Sequence, residues 1–303
     1  MCIRDRLKVE ALAERRRSVG LPLRAHLVGH SRLALSLASL APPVSGSLAQ
    51  LASRVLGRSL PRPRRRWRPR STPSARPTHA VLADTFTKYL EPHVGDSALS
   101  ALGAAGAAVE IADAGCCGRP LLSAGLVPEA RRVALRLLGR LAPRAIAGTR
   151  IVVLEPSCWS MLVDDVPKLI PDDPRAAWVA EATATFERAL LDLDPTPAPA
   201  DAEGVVRHAH CHSRSIGSGG ELEALLTVLG VESTDTGAGC CGMAGAFGYL
   251  HPEVSRAVAS DRVLPALDER TLVATGTSCR AQARELSGVD AIHPAELAAA
   301  RLT

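Results

Sequence analysis

From residue 79 onward, short apolar runs alternate with longer segments in which apolar residues recur every three or four positions. The short runs predict strands and the periodic segments predict helices. In the first half, the predicted strands are 79–84, 108–112 and 151–154, and the predicted helices are 97–107 and 129–141. In the second half, the predicted strands are 205–209, 232–234, 272–274 and 291–292, and the predicted helices are 221–229, 253–267 and 294–302. This alternation predicts an α/β fold with parallel sheets flanked by helices and joined by right-handed crossovers.

The residues before 79 have a different pattern, with helical periodicity and no strand signal. We expect helices over 7–19, 23–40 and 48–56, the second broken by Pro42-Pro43 and the third ending at Gly57. No charge occurs between Leu33 and Ser53. Because the prolines and Gly46 interrupt this stretch, and a span needs about 20 predominantly apolar residues, we do not expect a transmembrane helix.

Charge separates these two parts of the 303-residue chain. The net charge is +5, but residues 1–76 hold 17 Lys and Arg against 3 Asp and Glu, and the remainder holds 19 against 28. Aromatic residues make up only 3% of the chain, so the core must be aliphatic. The basic run 62–70 contains prolines that oppose a recognition helix. It therefore favours an extended linker covering an acidic surface over a nucleic-acid site.

The first six residues lack the apolar segment and cleavage site of a signal peptide. They resemble translated sequencing-adapter sequence, so we expect a truncated start and leave Cys2 out of the candidate ligands.

An internal repeat is the strongest motif in the sequence. The pentapeptide Ala-Gly-Cys-Cys-Gly occurs at 114–118 and at 238–242, and each copy is followed by a further cysteine, Cys158 or Cys279. The near-constant offsets predict one structural unit used twice, with the same strand order in each copy. We expect a helical connector over 1–76, a first repeat over 77–193 and a second repeat over 204–303, joined by the Pro-, Ala- and Asp-rich segment 194–203.

Vicinal cysteines rarely form a disulfide with each other, but two neighbouring thiolates can reach one metal centre. The flanking glycines permit a positive φ and a close approach of the backbone, whose N–H groups can donate to anionic sulfur. Two groups of candidate ligands result, which we call the first thiol set (Cys116, Cys117, Cys158) and the second thiol set (Cys211, Cys240, Cys241, Cys279). Buried structural cysteines are the simpler alternative.

The candidate cysteines fall at the carboxyl ends of predicted strands, where parallel sheets bind ligands. We therefore expect the four sulfurs of the second set to converge. Four thiolates suit zinc or an iron–sulfur cluster, and the spacing, unlike the paired CxxC of structural zinc, favours the cluster. The first set has only three thiols because Thr85 falls near the position that matches Cys211. Iron should therefore load on the second set.

Other polar residues near the cysteines are candidates for supporting roles. His208, His210 and His212 would share one face of an extended strand, opposite Cys211, and hydrogen bonding is favoured over metal ligation. Arg119, Arg214 and Arg280 could offset cluster charge, bind a substrate carboxylate or form ion pairs. No catalytic residue is assigned, since no Ser/His/Asp order, phosphate-binding glycine loop or dinucleotide fingerprint occurs.

Over about residues 79–300, the two CCG turns and their partner cysteines resemble the cysteine-rich domain found in heterodisulfide reductase and in the glycolate oxidase iron–sulfur subunit. The motifs at 84–87, 116–120, 155–158 and 210–212 are similar to the C-terminal iron–sulfur part of FAD-linked D-2-hydroxyacid dehydrogenases, of the D-lactate or D-2-hydroxyglutarate type. Residues 7–75 resemble the helical connector that follows the ferredoxin-like cysteines of that family. Those cysteines and the flavin domain are not in this sequence.

The resemblance implies an iron–sulfur electron-transfer module, with a cluster of the 4Fe–4S type on the second thiol set. Each family repeat ends in CxxC, but here Met161 and Gln282 stand at the last position. This departs from the five-thiol noncubane pattern and is compatible with a four-thiol cluster. FAD would belong to a missing N-terminal part or to a partner dehydrogenase domain or subunit, and the acceptor would be a quinone or an electron carrier.

Two other functions stay open from the sequence. One is thiol–disulfide chemistry at a cluster, as in heterodisulfide reductase, and the other is a zinc-stabilised interaction module. We expect a cytoplasmic location, with at most peripheral contact with the inner face of the membrane.

Overall fold

The computed structural model describes residues 3–20, 26, 28–56, 58–68, 76–199, 203–244 and 247–303. Within these ranges, each half of the chain forms a four-stranded parallel sheet. The strands are β1 (His79–Leu82), β2 (Val109–Ala112), β3 (Arg150–Val153), β4 (Thr183–Thr185), β5 (Val205–His208), β6 (Ser233–Asp235), β7 (Leu272–Ala274) and β8 (Ala291–Ile292). The orders are β2-β1-β3-β4 and β6-β5-β7-β8, so both sheets have the same topology. The α/β fold and the duplication are therefore confirmed.

Helices connect the strands and cover both sheets. The connector carries α1 (Ile3–Val19), α2 (Ser31–Ala38) and α3 (Pro42–Leu56). The first half carries α4 (Thr85–Tyr89), α5 (Pro92–Ala104), α6 (Arg119–Ser123), α7 (Val127–Ile146), α8 (Pro156–Ser160), a π-helical turn (Met161–Asp165), α9 (Val166–Leu169), α10 (Pro174–Ala182) and α11 (Phe186–Leu191). The second half carries α12 (Cys211–Ser215), α13 (Glu221–Val228), α14 (Phe247–Leu250), α15 (Pro252–Arg262), a 3₁₀ turn (Leu264–Ala266), α16 (Thr277–Ser287) and α17 (Pro294–Leu302).

The central strands are buried on both faces, which explains their continuous apolar runs. On β1, Ala80 and Leu82 face the helices on one side of the sheet, whereas Val81 faces the other side. Ile151 and Val152 divide in the same way on β3. The alternation follows from the two-residue period of a strand, so each face of the sheet contributes to a separate hydrophobic core.

One of these cores joins the two repeats. It contains Val81 and Val152 from the first sheet together with Val205 and Val273 from the second. Helices α5 and α17 pack along each other within it, through small residues such as Ala98. Alanines at such contacts let helix axes approach closely, so a chain poor in aromatics still fills this core. The repeats therefore share one interior.

Buried polar contacts fix the relative position of the repeats. Glu91, which precedes α5, accepts a hydrogen bond from Arg280 at 2.6 Å and from Thr277 Oγ1 at 2.8 Å. Burial opposes ionisation of Glu91, but the Arg280 charge outweighs it and the carboxyl pKa is lowered. In addition, His293 Nε2 lies 3.1 Å from the Leu154 carbonyl oxygen.

The connector lies against the first repeat at two places. Leu12 of α1 packs on Gly125, and Arg16 forms two hydrogen bonds with Glu129, the shorter at 2.5 Å. Further along, Trp67 is buried against Gly95, and its Nε1 donates to Asp96 at 2.8 Å. Residues 59–68 contain no helix, as the prolines predict.

Several details differ from the expectations. Pro42 and Pro43 begin α3 rather than separating two helices, because a proline in the first helical turn leaves no intrahelical hydrogen bond unmade. Strand β4 was not predicted, since Thr183–Thr185 is three residues long and has no apolar run. Strand β5 ends at His208, so the alternation predicted for His210 and His212 is wrong.

Other expectations fall on residues that the structure does not describe, namely Cys2, Gly57 and the end of the basic run at 69–70. None of the helices in the described ranges is both long and apolar enough to cross a bilayer. The boundaries proposed at 76/77 and 193/204 stay predictions.

Glu187 is a buried acid whose charge opposes folding. It lies in α11, and its Oε1 has no hydrogen-bond partner among the described residues. Burial raises the pKa of Glu187 to about 7, from an ordinary value of 4.5. Between those two pH values the folded chain binds more protons at this group than the unfolded chain does, so this group destabilises the fold as pH rises.

Replacing Glu187 by Gln should therefore stabilise the protein at pH 8 and change little at pH 4.5. A shift of this size corresponds to about 3 kcal/mol at full ionisation. The measurement is the free energy of unfolding by urea at both pH values, with the exposed Glu181→Gln as a control. Equal effects of Glu187→Gln at the two pH values would contradict the assignment.

Candidate metal centre

The two CCG turns have the same local geometry. Gly118 and Gly242 have φ values of +90° and +92°, a conformation that glycine adopts without strain. The Gly118 N–H donates to Cys116 Sγ at 3.4 Å, and the Gly242 N–H donates to Cys240 Sγ at 3.3 Å. A Cβ at residue 242 would lie 2.3 Å from the Ser255 carbonyl oxygen, so no other residue fits there. Each turn therefore places two adjacent thiols at the carboxyl end of its sheet.

The second thiol set comes together at the ends of three strands. Cys211 is the first residue of α12, after β5, and Cys279 lies in the first turn of α16, after β7. The side chains interact in sequence, Cys211 with Cys240, Cys240 with Cys241, and Cys241 with Cys279. Four thiols from distant parts of the sequence thus form one cluster. Their role as ligands stays a prediction.

Contacts between these thiols shift their pKa values in opposite directions. The contacts with Cys211 and Cys241 lower the pKa of Cys240. Cys241 also interacts with Cys279, and this contact lowers the Cys279 pKa well below its usual value despite burial, with help from the charge of His208. The pKa values of Cys211 and Cys241 are raised. The site is therefore suited to hold negatively charged sulfur.

The first thiol set is also assembled, but its thiols favour the neutral form. Cys117 Sγ donates to Cys158 Sγ at 3.1 Å. Although this hydrogen bond lowers the Cys158 pKa, burial and the charges of Asp84 and Glu155 raise it to about 11. The pKa of Cys116 is raised well above normal, by its contact with Cys117 and by burial.

Thr85 takes the place in the first repeat that Cys211 has in the second. Each is the first residue of the short helix after the first strand of its repeat, preceded by the N-cap residue Asp84 or His210. The Thr85 hydroxyl is buried beside Cys116 and has no other hydrogen-bond partner among the described residues. The position predicted from the repeat offset is therefore correct, and a hydroxyl stands where a fourth thiol would.

The donor set fits an iron–sulfur cluster better than a single ion. In the described ranges, no three His, Cys, Asp or Glu side chains are arranged to hold one metal ion. In the second set, each thiol interacts with the next one in the sequence. A cluster takes each thiolate at a separate iron, so its ligands need not meet at one atom. All seven described cysteines are free thiols.

Glu155 connects the two sites. It caps α8, where its Oε1 accepts from the Ser157 N–H at 3.3 Å, and its Oε2 accepts from the Thr277 N–H at 3.0 Å. These two amides belong to the first turns of the helices that carry Cys158 and Cys279. One buried carboxylate therefore orients both helices.

A second contact between the sites runs through Ser160 and His212. Ser160 Oγ lies 2.8 Å from His212 Nδ1 and accepts a hydrogen bond from Arg119 at 2.8 Å. Arg119 follows the first CCG turn, and His212 follows Cys211. Burial lowers the His212 pKa to about 2, so the ring is neutral. The loops of the two thiol sets are therefore in direct contact.

The histidines and arginines near the cysteines have protein partners. His208 Nδ1 lies 2.9 Å from Thr236 Oγ1, and His210 Nδ1 accepts from the His212 N–H at 3.1 Å. The ion pairs are Arg119 with Asp165, Arg214 with Asp235, and Arg280 with Glu91. Hydrogen bonding, the favoured interpretation of the histidines, is what the structure shows.

Sequence reasoning did not assign roles to Glu155 or Ser160. A signal existed for Glu155, because an acidic residue directly before Pro156 at a predicted strand end is typical of a helix N-cap. No local signal identifies Ser160, whose partner His212 is 52 residues away.

The chain matches known proteins over both repeats. It is 27% identical over 169 residues to one of the subunits of the anaerobic glycerol-3-phosphate dehydrogenase of Escherichia coli (strain K12), covering 54% of this chain and 43% of the relative. It is 27% identical over 234 residues to D-2-hydroxyglutarate dehydrogenase of Pseudomonas putida, covering 75% of this chain and 23% of the relative. It is 26% identical over 209 residues to lactate utilization protein A 1 of Bacillus cereus (strain AH820), covering 65% and 84%.

The chain thus spans less than half of the first two of these relatives. The model of the cysteine-rich domain (CCG) family matches residues 83–163 and 205–284, one match for each repeat and together more than half of the chain. Each match contains one CCG turn and its partner cysteine. By its sequence, its duplicated sheets and its two thiol sets, the chain belongs to the cysteine-rich domain (CCG) family.

Proposed function

We propose that this chain is the iron–sulfur electron-transfer module of a flavin-dependent 2-hydroxyacid dehydrogenase. The observation that carries the proposal is the second thiol set, in which four thiols from distant segments interact at the ends of three strands. Two of the relatives described above are dehydrogenases or dehydrogenase subunits by name, and a third is a lactate utilization protein. Their names support an oxidoreductase context.

The residues of the second set would hold a cluster of the 4Fe–4S type. When bound, such a cluster accepts and donates single electrons. Cys241 and Cys279 are buried and Cys211 and Cys240 are partly exposed, so the protein surrounds one side of the site and leaves the other near the surface. The Gly242 N–H, which already donates to Cys240 Sγ, would stabilise negative charge on that sulfur.

A partner must supply the electrons, since this chain contains no dinucleotide fingerprint. We assign hydride removal to a flavin domain or subunit and single-electron transfer to this chain, with a quinone or electron carrier as acceptor. Helices α2 and α3 and the turn between them expose large aliphatic side chains that support docking of a partner: Leu33, Leu37, Leu40, Val44, Leu48 and Leu51.

The free thiols fit a reducing compartment, so we place the protein in the cytoplasm as part of the proposal.

Replacing Cys241 by Ser should abolish most bound iron, because it removes one of four thiolates from the second set. Replacing Cys117 by Ser should leave most of it, because the first set already lacks a thiol. The measurement is iron and sulfide per chain after anaerobic reconstitution, with the EPR spectrum of the reduced protein. Equal losses in the two variants would show that the copies share one centre or that both carry one. Zinc in place of iron and sulfide would favour the zinc-stabilised module.

Replacing Thr85 by Cys should increase the iron content of the chain. The substitution places a thiol beside Cys116 at the position equivalent to Cys211, and so completes a four-thiol set in the first repeat. Thr85→Ser, which keeps the hydroxyl, is the matched control and should leave the iron content unchanged. An unchanged iron content in folded Thr85→Cys would mean that the missing thiol does not limit the first site.

The reconstituted chain should be reduced by a 2-hydroxyacid only when a flavin-dependent dehydrogenase is present. Anaerobic bleaching of the cluster absorbance would be followed with D-lactate, D-2-hydroxyglutarate and glycerol 3-phosphate, each with and without that enzyme. If glycerol 3-phosphate is the only one of the three that bleaches the cluster, the partner is a dehydrogenase for a different class of substrate. If a disulfide reoxidises the bleached chain and two thiols form, the heterodisulfide-reductase-like function is supported instead.

A further inference from the structure

Arg58 is a buried cation that comes from the connector and ends in the second repeat. It follows α3 and is only 2% exposed. Its Nη2 donates to Gln282 Oε1 and lies 2.6 Å from Met243 Sδ. Its Nε lies 3.5 Å from Glu285 Oε2. More than 180 residues separate Arg58 from each of these partners.

Both hydrogen-bond partners of Arg58 belong to the second thiol site. Met243 follows the CCG turn directly, and Gln282 lies one helical turn after Cys279 on α16. Gln282 Nε2 donates to Ser255 at 3.2 Å, and the Ser255 carbonyl is the group that a Cβ at residue 242 would meet. Arg58 is therefore packed against side chains that follow Cys241 and Cys279 in the sequence.

The charge of Arg58 is incompletely balanced within the protein. Nη1 is buried and has no hydrogen-bond partner among the described residues. Glu285 is the neighbouring acid, and its 3.5 Å contact with Nε is longer than a charge-assisted hydrogen bond. A buried guanidinium is costly unless anionic groups lie close to it. Four thiolates carrying a cluster would supply such negative charge at this place.

The first repeat has no equivalent arrangement at the matching position. Met161 stands where Gln282 stands in the second repeat, three residues after the partner cysteine. Its side chain is fully buried, and its Cε lies close to Gly118 of the first CCG turn. An apolar side chain thus supports the first turn, whereas an amide that binds a cation supports the second. The repeat that is proposed to load iron is therefore the one whose CCG turn is supported by a cation.

We propose that Arg58 is a positioning residue through which the connector balances the negative charge of the second site and raises its reduction potential. The inference rests on the proposed function, because it requires a cluster on the second thiol set. A cluster with four thiolates becomes more negative when it accepts an electron, so a nearby buried cation stabilises the reduced form. Gln282 and Met243 transmit this effect by holding the guanidinium against the turn.

The test is the midpoint potential of the reconstituted chain, followed by EPR and absorbance in an anaerobic redox titration. Arg58→Gln should shift the potential to a more negative value, because the neutral amide no longer favours the reduced cluster. Arg58→Lys keeps the charge and should restore most of the potential. Arg16→Gln breaks a different ion pair between the connector and the repeats, with Glu129, and should leave the potential unchanged.

Iron content and circular dichroism accompany each titration. Loss of iron in folded Arg58→Gln, with iron retained in Arg58→Lys and Arg16→Gln, would also support the charge balance. A potential in Arg58→Gln equal to that of the wild type would overturn the inference, and so would an equal shift or equal iron loss in Arg58→Lys. These outcomes leave the proposed function intact. A wild-type chain that binds no iron and sulfide would instead overturn the proposed function, and the inference with it.

Discussion

The carboxyl ends of parallel strands meet at one edge of their sheet, and the chemistry of this protein depends on that constraint. In each repeat, three strands end where cysteines or their counterparts begin. The second thiol set gathers residues as far apart as Cys211 and Cys279 without a local metal-binding motif. The glycine that ends each CCG turn has a positive φ, and its N–H donates to the first cysteine of the turn. Any sequence that changed the strand order would separate these sulfurs.

The two repeats depend on each other as well as on their own sheets. A common aliphatic core fixes their distance, and buried polar groups fix their angle. Glu155 is central to this, because its two oxygens bind the first turns of both cysteine-bearing helices. A displacement of one cysteine-bearing helix would therefore also move the other through Glu155. Two thiol sets that share a carboxylate and a Ser160–His212 contact belong to one structural unit.

The sequence was informative wherever periodicity or repetition carried the signal. The shared strand order of the two copies, the CCG turns and the place of Thr85 follow from patterns that are local or repeated. Strand β4 lacks such a pattern, because Thr183–Thr185 is a strand only through its pairing with β3. The end of β5 at His208 depends on His210, whose ring caps the following helix. Alternating histidines suggest an extended strand unless that cap is recognised.

The contacts that were not predicted are those that join distant segments. Arg58 meets Gln282 across 224 residues, and nothing near either residue indicates the other. The sequence does show that Gln282 departs from the CxxC pattern. The contact with Arg58 gives this departure a structural role. In the second repeat, Gln282 stands where the family resemblance implies a cysteine, and it binds a cation from the connector. In the first repeat, Met161 fills the same position with apolar atoms, and a hydroxyl replaces the fourth thiol. The two copies therefore differ at equivalent positions: one has four thiols and a bound cation, and the other has three thiols and an apolar side chain.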